Sequence, residues 1–299
     1  MGVVMKVKRT FSLFLTLGMI MTIQINCTNS PFGEVIAPEP RTIRGQVDLE
    51  LDDLDDDVYV WLDGFKIDTR TDEFGFFTLK IPKELSESTS YLNGVYKLYL
   101  YVANYSVKTV DIAVRNGLFV YGKAGLNKQG ALTGVVKMDK ILDIVTIVEP
   151  QWARGDYEGP IDVQVTLQAL RDSVTVIYPK SIGGLLGAIL LKHIETQHVY
   201  VDIPDIGATT KAYDQIGKEP KSRRMVFQMN GINYRDLFLP PGAYEVIPFF
   251  LIDHENLPQE LINTIGFGVE QIGANFLRIP YRRIGGDFRI IYYSSKTTT

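Results

Sequence analysis

Beyond residue 41, apolar side chains tend to recur at every second position, and this period constrains the fold more than any other feature. Successive side chains of a strand point to opposite faces, so alternation marks a sheet with one greasy and one wet side. Phe77, Leu79 and Ile81 share one face, while Phe76, Thr78 and Lys80 share a largely wet one. Tyr96, Leu98, Leu100 and Val102 repeat the pattern. Runs rich in Val, Ile, Tyr, Phe and Thr, separated by Gly, Asn, Asp and Pro, predict strands at Val58–Leu62, Phe76–Ile81, Tyr96–Val102, Val107–Val114, Ile161–Leu167, Ser173–Tyr178, His198–Ile203, Tyr244–Leu251 and Phe288–Tyr293. Long helical stripes are scarce. The chain therefore reads as all-β, with enough apolar residues for two tandem β-sandwich domains.

Landmarks between the strands sharpen this reading. Ile43-Arg-Gly45-Gln-Val47 is followed by Val58-Tyr-Val60-Trp-Leu62 and the turn Asp63-Gly64. Next comes Thr69-Arg-Thr71-Asp72-Glu-Phe74-Gly75-Phe76-Phe77-Thr-Leu79-Lys-Ile81-Pro82. Asn93-Gly94-Val95-Tyr96-Lys-Leu98 and the pair Asn104-Tyr105 complete the series. This order resembles the carboxypeptidase regulatory-like domain, a transthyretin-like β-sandwich, over residues 42–126. Two departures are Asn93, where that family commonly has Pro, and Asn104, where it usually has Gly. Leu132-Thr-Gly134-Val-Val136 echoes the opening landmark, and Leu239-Pro-Pro-Gly-Ala-Tyr244-Glu-Val246 resembles the family's closing one. Residues 127–294 are thus expected to form a second, larger sandwich with insertions, transthyretin-like or immunoglobulin-like, followed by a tail at 295–299. The most apolar internal run, Ile182–Leu191, is read as a buried strand or short helix of this domain. Its alternative is insertion into a membrane surface or a partner's groove.

Few groups point to chemistry. Seven of the ten residues from Asp48 to Asp57 are acidic. Asp48, Glu50 and Asp52 alternate as a calcium loop's ligands can, but three leucines interrupt the run and no glycine turns it. A solvated loop between the first two strands is the preferred reading, ahead of calcium or a basic partner. The three histidines lack the spacing of a helical zinc pair, and no nucleophile elbow occurs. No enzymatic activity and no cofactor are expected. Trp61, Tyr99, Tyr101 and Trp152 are candidate contacts for a glycan, small ligand or partner. Core filling competes with that role, because aromatics suit strands and bury large areas.

The start of the chain bears on location. Lys6, Lys8 and Arg9 precede an uncharged apolar run from Phe11 to Ile25. That run is shorter than the roughly 20 residues of a membrane-spanning helix. Residues 1–26 therefore read as a secretory signal peptide rather than an anchor helix. Cys27, the only cysteine, follows at once. The junction resembles the lipobox of bacterial lipoproteins, although Gln24 and Asn26 stand where Leu and a small residue are usual. The resemblance implies lipidation of Cys27, with residues 27–41 as a proline-bearing tether; ordinary cleavage and a free thiol are the alternative. An exported lipoprotein of the bacterial cell envelope is expected, held to a membrane by its lipid. Thr28, where an inner-membrane retention signal would have Asp, points to the outer membrane. The formal charge of −4 becomes more negative once the three leader cations are removed, which argues against nucleic acid. An envelope protein or a polysaccharide is the expected partner class.

Overall fold

Buried side chains on strands Thr42–Leu49 and Phe76–Lys80 alternate as their sequences do, and the two strands pair antiparallel with Gly45 opposite Phe77. A β-carbon at Gly45 would meet the Phe77 ring at 2.5 Å and Leu132 at 2.7 Å, which explains the glycine in the first landmark. The computed structural model describes residues 40–52, 54–88, 91–179, 187–203, 210–229 and 239–291. The expected signal peptide, Cys27, nearly all of the tether, positions 182–186, Tyr234–Phe238 and the tail lie outside the described residues.

The first sandwich contains β1 (Thr42–Leu49), β2 (Tyr59–Leu62), β3 (Ile67–Arg70), β4 (Phe76–Lys80), β5 (Gly94–Tyr101), β6 (Lys108–Arg115), β7 (Leu118–Phe119) and β8 (Val136–Met138), with the short helix α1 (Lys83–Ser88). Its three-stranded sheet has the order β4-β1-β8, and its five-stranded sheet the order β3-β2-β5-β6-β7. Ile43, Val47, Leu79, Val60, Leu98, Leu100 and Ile112 are among the side chains of its core. Asp72 shapes the β3–β4 connection, its carboxylate accepting from the backbone N–H groups of Phe74 and Phe76. The stretch Leu132–Val136, which echoes the opening of this sandwich, does not begin a second one. It leads into β8, which runs parallel to β1 with Val47 opposite Val136. Leu132 and Met138 bury in the first core, so this sandwich continues past residue 126 to Met138.

The second sandwich contains β9 (Leu142–Glu149), β10 (Trp152–Arg154), β11 (Ile161–Ala169), β12 (Val174–Pro179), β13 (Ile189–His193), β14 (Val199–Asp202), β15 (Lys211–Ile216), β16 (Lys221–Phe227), β17 (Gly242–Pro248), β18 (Leu251–Ile252), β19 (Ile284–Gly285) and β20 (Asp287–Ile291), with the helix α2 (Gln259–Ile265) and a 3-10 turn, Ala274–Arg278. A four-stranded sheet, β16-β11-β9-β19, and a five-stranded sheet, β10-β20-β17-β13-β14, share a core, and a three-stranded sheet, β15-β12-β18, adjoins them. Phe227 of β16 and Phe288 of β20 meet edge to face, 5.8 Å between centroids, across the two larger sheets. The described end of the apolar run 182–191 is a strand, β13, with Ile189, Leu190 and Leu191 fully buried. The chain is thus all-β, built from packed sheets.

One polar side chain joins the halves. Asn104 follows the last residues of the first sandwich's central strand and is wholly buried. Its amide donates to the carbonyls of Leu142 at 3.0 Å and Arg282 at 2.8 Å. Its side-chain oxygen accepts from the Arg282 N–H at 2.9 Å. A glycine here would have no side chain with which to make these bonds. Asn104→Ala leaves a buried N–H and two buried carbonyls short of a partner, at about 1–3 kcal/mol for each group left unsatisfied. Chemical denaturation should show a loss of at least about 2 kcal/mol, whereas alanine at the exposed Asn93 should leave the midpoint nearly unchanged.

Candidate functional site

The candidate aromatics separate into two groups. In β2 all four side chains are buried: Val60 and Leu62 enter the first core, while Tyr59 and Trp61 face the other way. Tyr59 stands opposite Tyr101 and Trp61 opposite Tyr99 in the β2–β5 register. Trp61 is 0 % exposed and lies 5.6 Å from the Tyr99 ring. Tyr59, Trp61 and Tyr101 belong to the same continuous apolar cluster as Leu261, Ile262 and Ile265 of α2 and as Phe276 and Tyr281. They are therefore the floor of the joint between the sandwiches, closed to a ligand. Each fully buried large apolar side chain contributes about 1.5–3 kcal/mol. Burial also pushes the Tyr101 hydroxyl well above its ordinary pKa, helped by Tyr281 and Glu270.

Polar groups complete the joint. The Ala103 N–H donates to the Pro280 carbonyl at 2.8 Å. The His254 ring stands edge-on to Tyr101, and its Nε2 donates to the Ala103 carbonyl, 2.8 Å away. Burial holds the His254 pKa below the ordinary histidine value, although the Ala103 carbonyl and Asp253 pull it back. Lys66 reaches Glu260 of α2 at 2.6 Å.

The acidic run closes the same seam from the side, so it is not simply a solvated loop. Glu50 pairs with Arg171 at 2.9 Å, and Arg171 also holds Asp139 at 3.0 Å. Asp52 accepts from the Tyr105 hydroxyl at 2.8 Å and lies 3.5 Å from the Arg282 guanidinium. Asp56 takes Arg282 Nη2 on its carboxylate at 2.8 Å and on its main-chain carbonyl. Asp57 pairs with Arg70, whose other amino group donates to the Arg278 carbonyl at 2.7 Å. Asp55 turns inward and accepts from the Leu49 N–H. Asp48 faces Lys137 at 3.7 Å. Asp48, Glu50 and Asp52 thus engage different cationic or hydroxyl partners and do not converge on one point as calcium ligands must. The loop takes left-handed backbone at Leu51 (φ 63) and Asp57 (φ 55), which costs non-glycine residues about 1–2 kcal/mol each. Cations of both sandwiches partner this acidic stretch: Arg70 and Lys137 from the first, Arg171 and Arg282 from the second.

Trp152 has the opposite fate and is 59 % exposed. It occupies β10, the edge strand beside β20, with Ala153 pointing into the core between outward Trp152 and Arg154. A depression of about 460 Å³ opens on one side, walled by Gln151, Ile194, Asp287 and Arg289 over a small Ala243. Another of about 700 Å³ opens on the other side, walled by Arg154, Asp156, Tyr157 and Glu158. Of the four aromatics singled out from sequence, this is the one that presents its ring to solvent.

The residues that hold the joint largely escaped the sequence. Arg282 lies 226 positions from Asp56, too far for any local pattern to connect them. Asn104 left a trace as a departure from the resembled motif. The two-faced burial of β2 also had a signal, since five consecutive apolar residues, Val58–Leu62, suit a strand covered on both sides better than one with a wet face.

No known protein family and no curated protein matches the chain. Among solved structures, one similar chain is the Bacillus anthracis TIE protein, 10% identical, with 84% of this chain and 34% of that chain covered at a TM-score of 0.21. Another is BcpA, the major pilin subunit of Bacillus cereus, 10% identical, with 71% and 66% covered at a TM-score of 0.24. The chain spans about a third of the first and about two thirds of the second. Likeness this distant carries no argument about activity.

Two measurements test the seam. In a double-mutant cycle, Arg282→Ala and Asp56→Ala should couple by about 1 kcal/mol, because Asp56 is half-exposed and water screens the pair. Acid should loosen the joint. Because folded His254 binds its proton more weakly than the unfolded chain does, stability falls as pH drops through about 6.5, and His254→Gln should flatten that slope. Asp202 works in reverse: burial pushes its carboxyl up to about 6 from 3.8, so it favours the folded state as pH falls across that window. Asp202→Asn should therefore steepen the loss of stability on acidification between these values.

Proposed function

We propose that this chain is a non-enzymatic, lipid-anchored protein of the bacterial cell envelope, whose joined β-sandwiches act in structure, spacing or adhesive contact. The observation that carries the reading is the sheet shared by both cores. It makes two sandwiches into one stiff block, which suits a part that holds position at a distance from a membrane. Trp61, Tyr99 and Tyr101, candidate ligand contacts, and Glu50 and Asp52, candidate calcium ligands, are engaged in that joint. The leader supports the location: a cationic start, an apolar run too short to span, and a solitary cysteine at its end. Several acyl chains on Cys27 would anchor firmly, since each buried methylene adds about 0.8 kcal/mol. The proline-bearing stretch that follows would act as the tether, and the outer membrane is the proposed address because Thr28 replaces the retention aspartate. The resemblance to the carboxypeptidase regulatory-like domain supports a spacing or presenting module for the first sandwich.

A second reading, a module that binds a glycan or small ligand, is supported by the exposed Trp152 ring between its two depressions.

Mass spectrometry of the mature N-terminus tests the anchor. An acylated peptide beginning at Cys27 is the expected product, and Cys27→Ser should release the protein from the membrane fraction. A free amine at any other residue, or an uncut leader, contradicts the proposal.

A further inference from the structure

We propose that the outer face of the five-stranded sheet around Trp152 binds a neutral oligosaccharide, a site that rests on the second reading above and gives it a ligand class. The sheet lays out the parts in a row. Trp152 stands opposite Arg289 in the parallel β10–β20 register, and Arg289 stands opposite Ala243 in the antiparallel β17–β20 register. Ile194, whose N–H donates to the Ala243 carbonyl at 2.8 Å, closes the far side. A large ring, a small floor and a far wall make a trough across the strands. β10 is fixed against β20 by hydrogen bonds at both ends, Arg289 N–H to Gln151 carbonyl at 2.9 Å and Gly155 N–H to Ile291 carbonyl at 3.0 Å. The backbone under the indole is thereby held in place before any ligand arrives.

The chemistry of the walls selects the ligand. A sugar ring has an apolar C–H face and an edge of hydroxyl groups. The exposed indole offers the flat apolar surface, and the amide of Gln151, the carboxylate of Asp287 and the guanidinium of Arg289 offer planar acceptors and donors for the edge. On the far side of the indole, Arg154 is paired with Asp156 at 2.9 Å, and Glu158 stands close by. Both signs of charge are present on these walls, so neither a polyanion nor a polycation is favoured. Each depression falls within the range of ligand sites, about 300–1,000 Å³, and the indole is shared by both. A chain of sugars crossing the ring fits this better than a single sugar. The second wall is shaped by a glycine: a β-carbon at Gly159 would meet the Tyr157 ring at 2.4 Å, so the absence of a side chain there lets the ring pack where it does.

The full mature chain should be presented to an array of neutral and charged oligosaccharides, with a control set of extended peptides. The chain has two tryptophans, and Trp61 is fully buried. Changes in emission and protection from iodide quenching therefore report on Trp152. Neutral oligosaccharides should bind and shield the fluorescence. Trp152→Ala should weaken binding about tenfold or more, the size of a lost stacking contact near 1.4 kcal/mol. Trp152→Phe should retain part of the affinity and Gly159→Ala should lose part of it. All three should melt with the parent, which separates lost binding from lost fold. A silent array with folded protein, binding undiminished in Trp152→Ala, or retention of acidic glycans or peptides alone would each overturn the site. Its failure alongside an acylated Cys27 would leave the envelope reading standing. Binding through Trp152 alongside an unacylated N-terminus would do the reverse.

Discussion

A sheet with no wet face at its centre is what the rest of this structure depends on. β2 lies between β3 and β5, so its backbone is hydrogen-bonded on both edges, and its side chains are buried above and below. Val60 and Leu62 fill one core while Tyr59 and Trp61 lie in the other. Separating the sandwiches would expose the second set to water, together with Tyr101 and the apolar residues of α2 packed into the same cluster. The polar seam then becomes intelligible. Asn104, His254, Arg70 and Arg282 supply partners for main-chain and carboxylate groups that would otherwise sit unpaired at the edge of a dry contact. Asp48, Glu50, Asp52, Asp56 and Asp57 are tolerable so close together because cations from both halves of the chain pair with them.

Function follows from where this leaves exposed chemistry. The joint absorbs Trp61, Tyr99, Tyr101, Glu50, Asp52 and Asp56, and the two sandwiches share one buried contact. Trp152 stands outside the joint: on an edge strand, ring outward, with mixed polar groups around it. The proposed lipid tether and the proposed recognition face on the second sandwich are compatible roles. The first would concern where the protein is held, the second what it meets there.

Much of the strand content was legible in the sequence. Phe76–Lys80, Gly94–Tyr101, Ile161–Ala169 and Val174–Pro179 fall where period-2 alternation places them. β9 is harder to read: Leu142, Ile144 and Val148 alternate, but Thr146 interrupts their face and apolar Val145 and Ile147 occupy the other. The echo at Leu132–Val136 misled, because a strand that completes the edge of the first sheet is built from the same residue types as one that opens a new sheet. The apolar run Val58–Leu62 hints locally at the burial of Trp61, and the polar neighbours Gln151 and Arg154 at the exposure of Trp152. What covers one and leaves the other open is set by α2 and by a sheet edge, each built with residues distant in sequence. The ion pairs of the acidic run were hidden for the same reason: charge composition says that acids are present, and only the fold says which arginine arrives.

Differential scanning calorimetry of the mature chain addresses the central claim, that the shared sheet makes two sandwiches one cooperative body. A single transition is predicted, with calorimetric and van't Hoff enthalpies equal. Two resolved transitions, one for each sandwich, would contradict it.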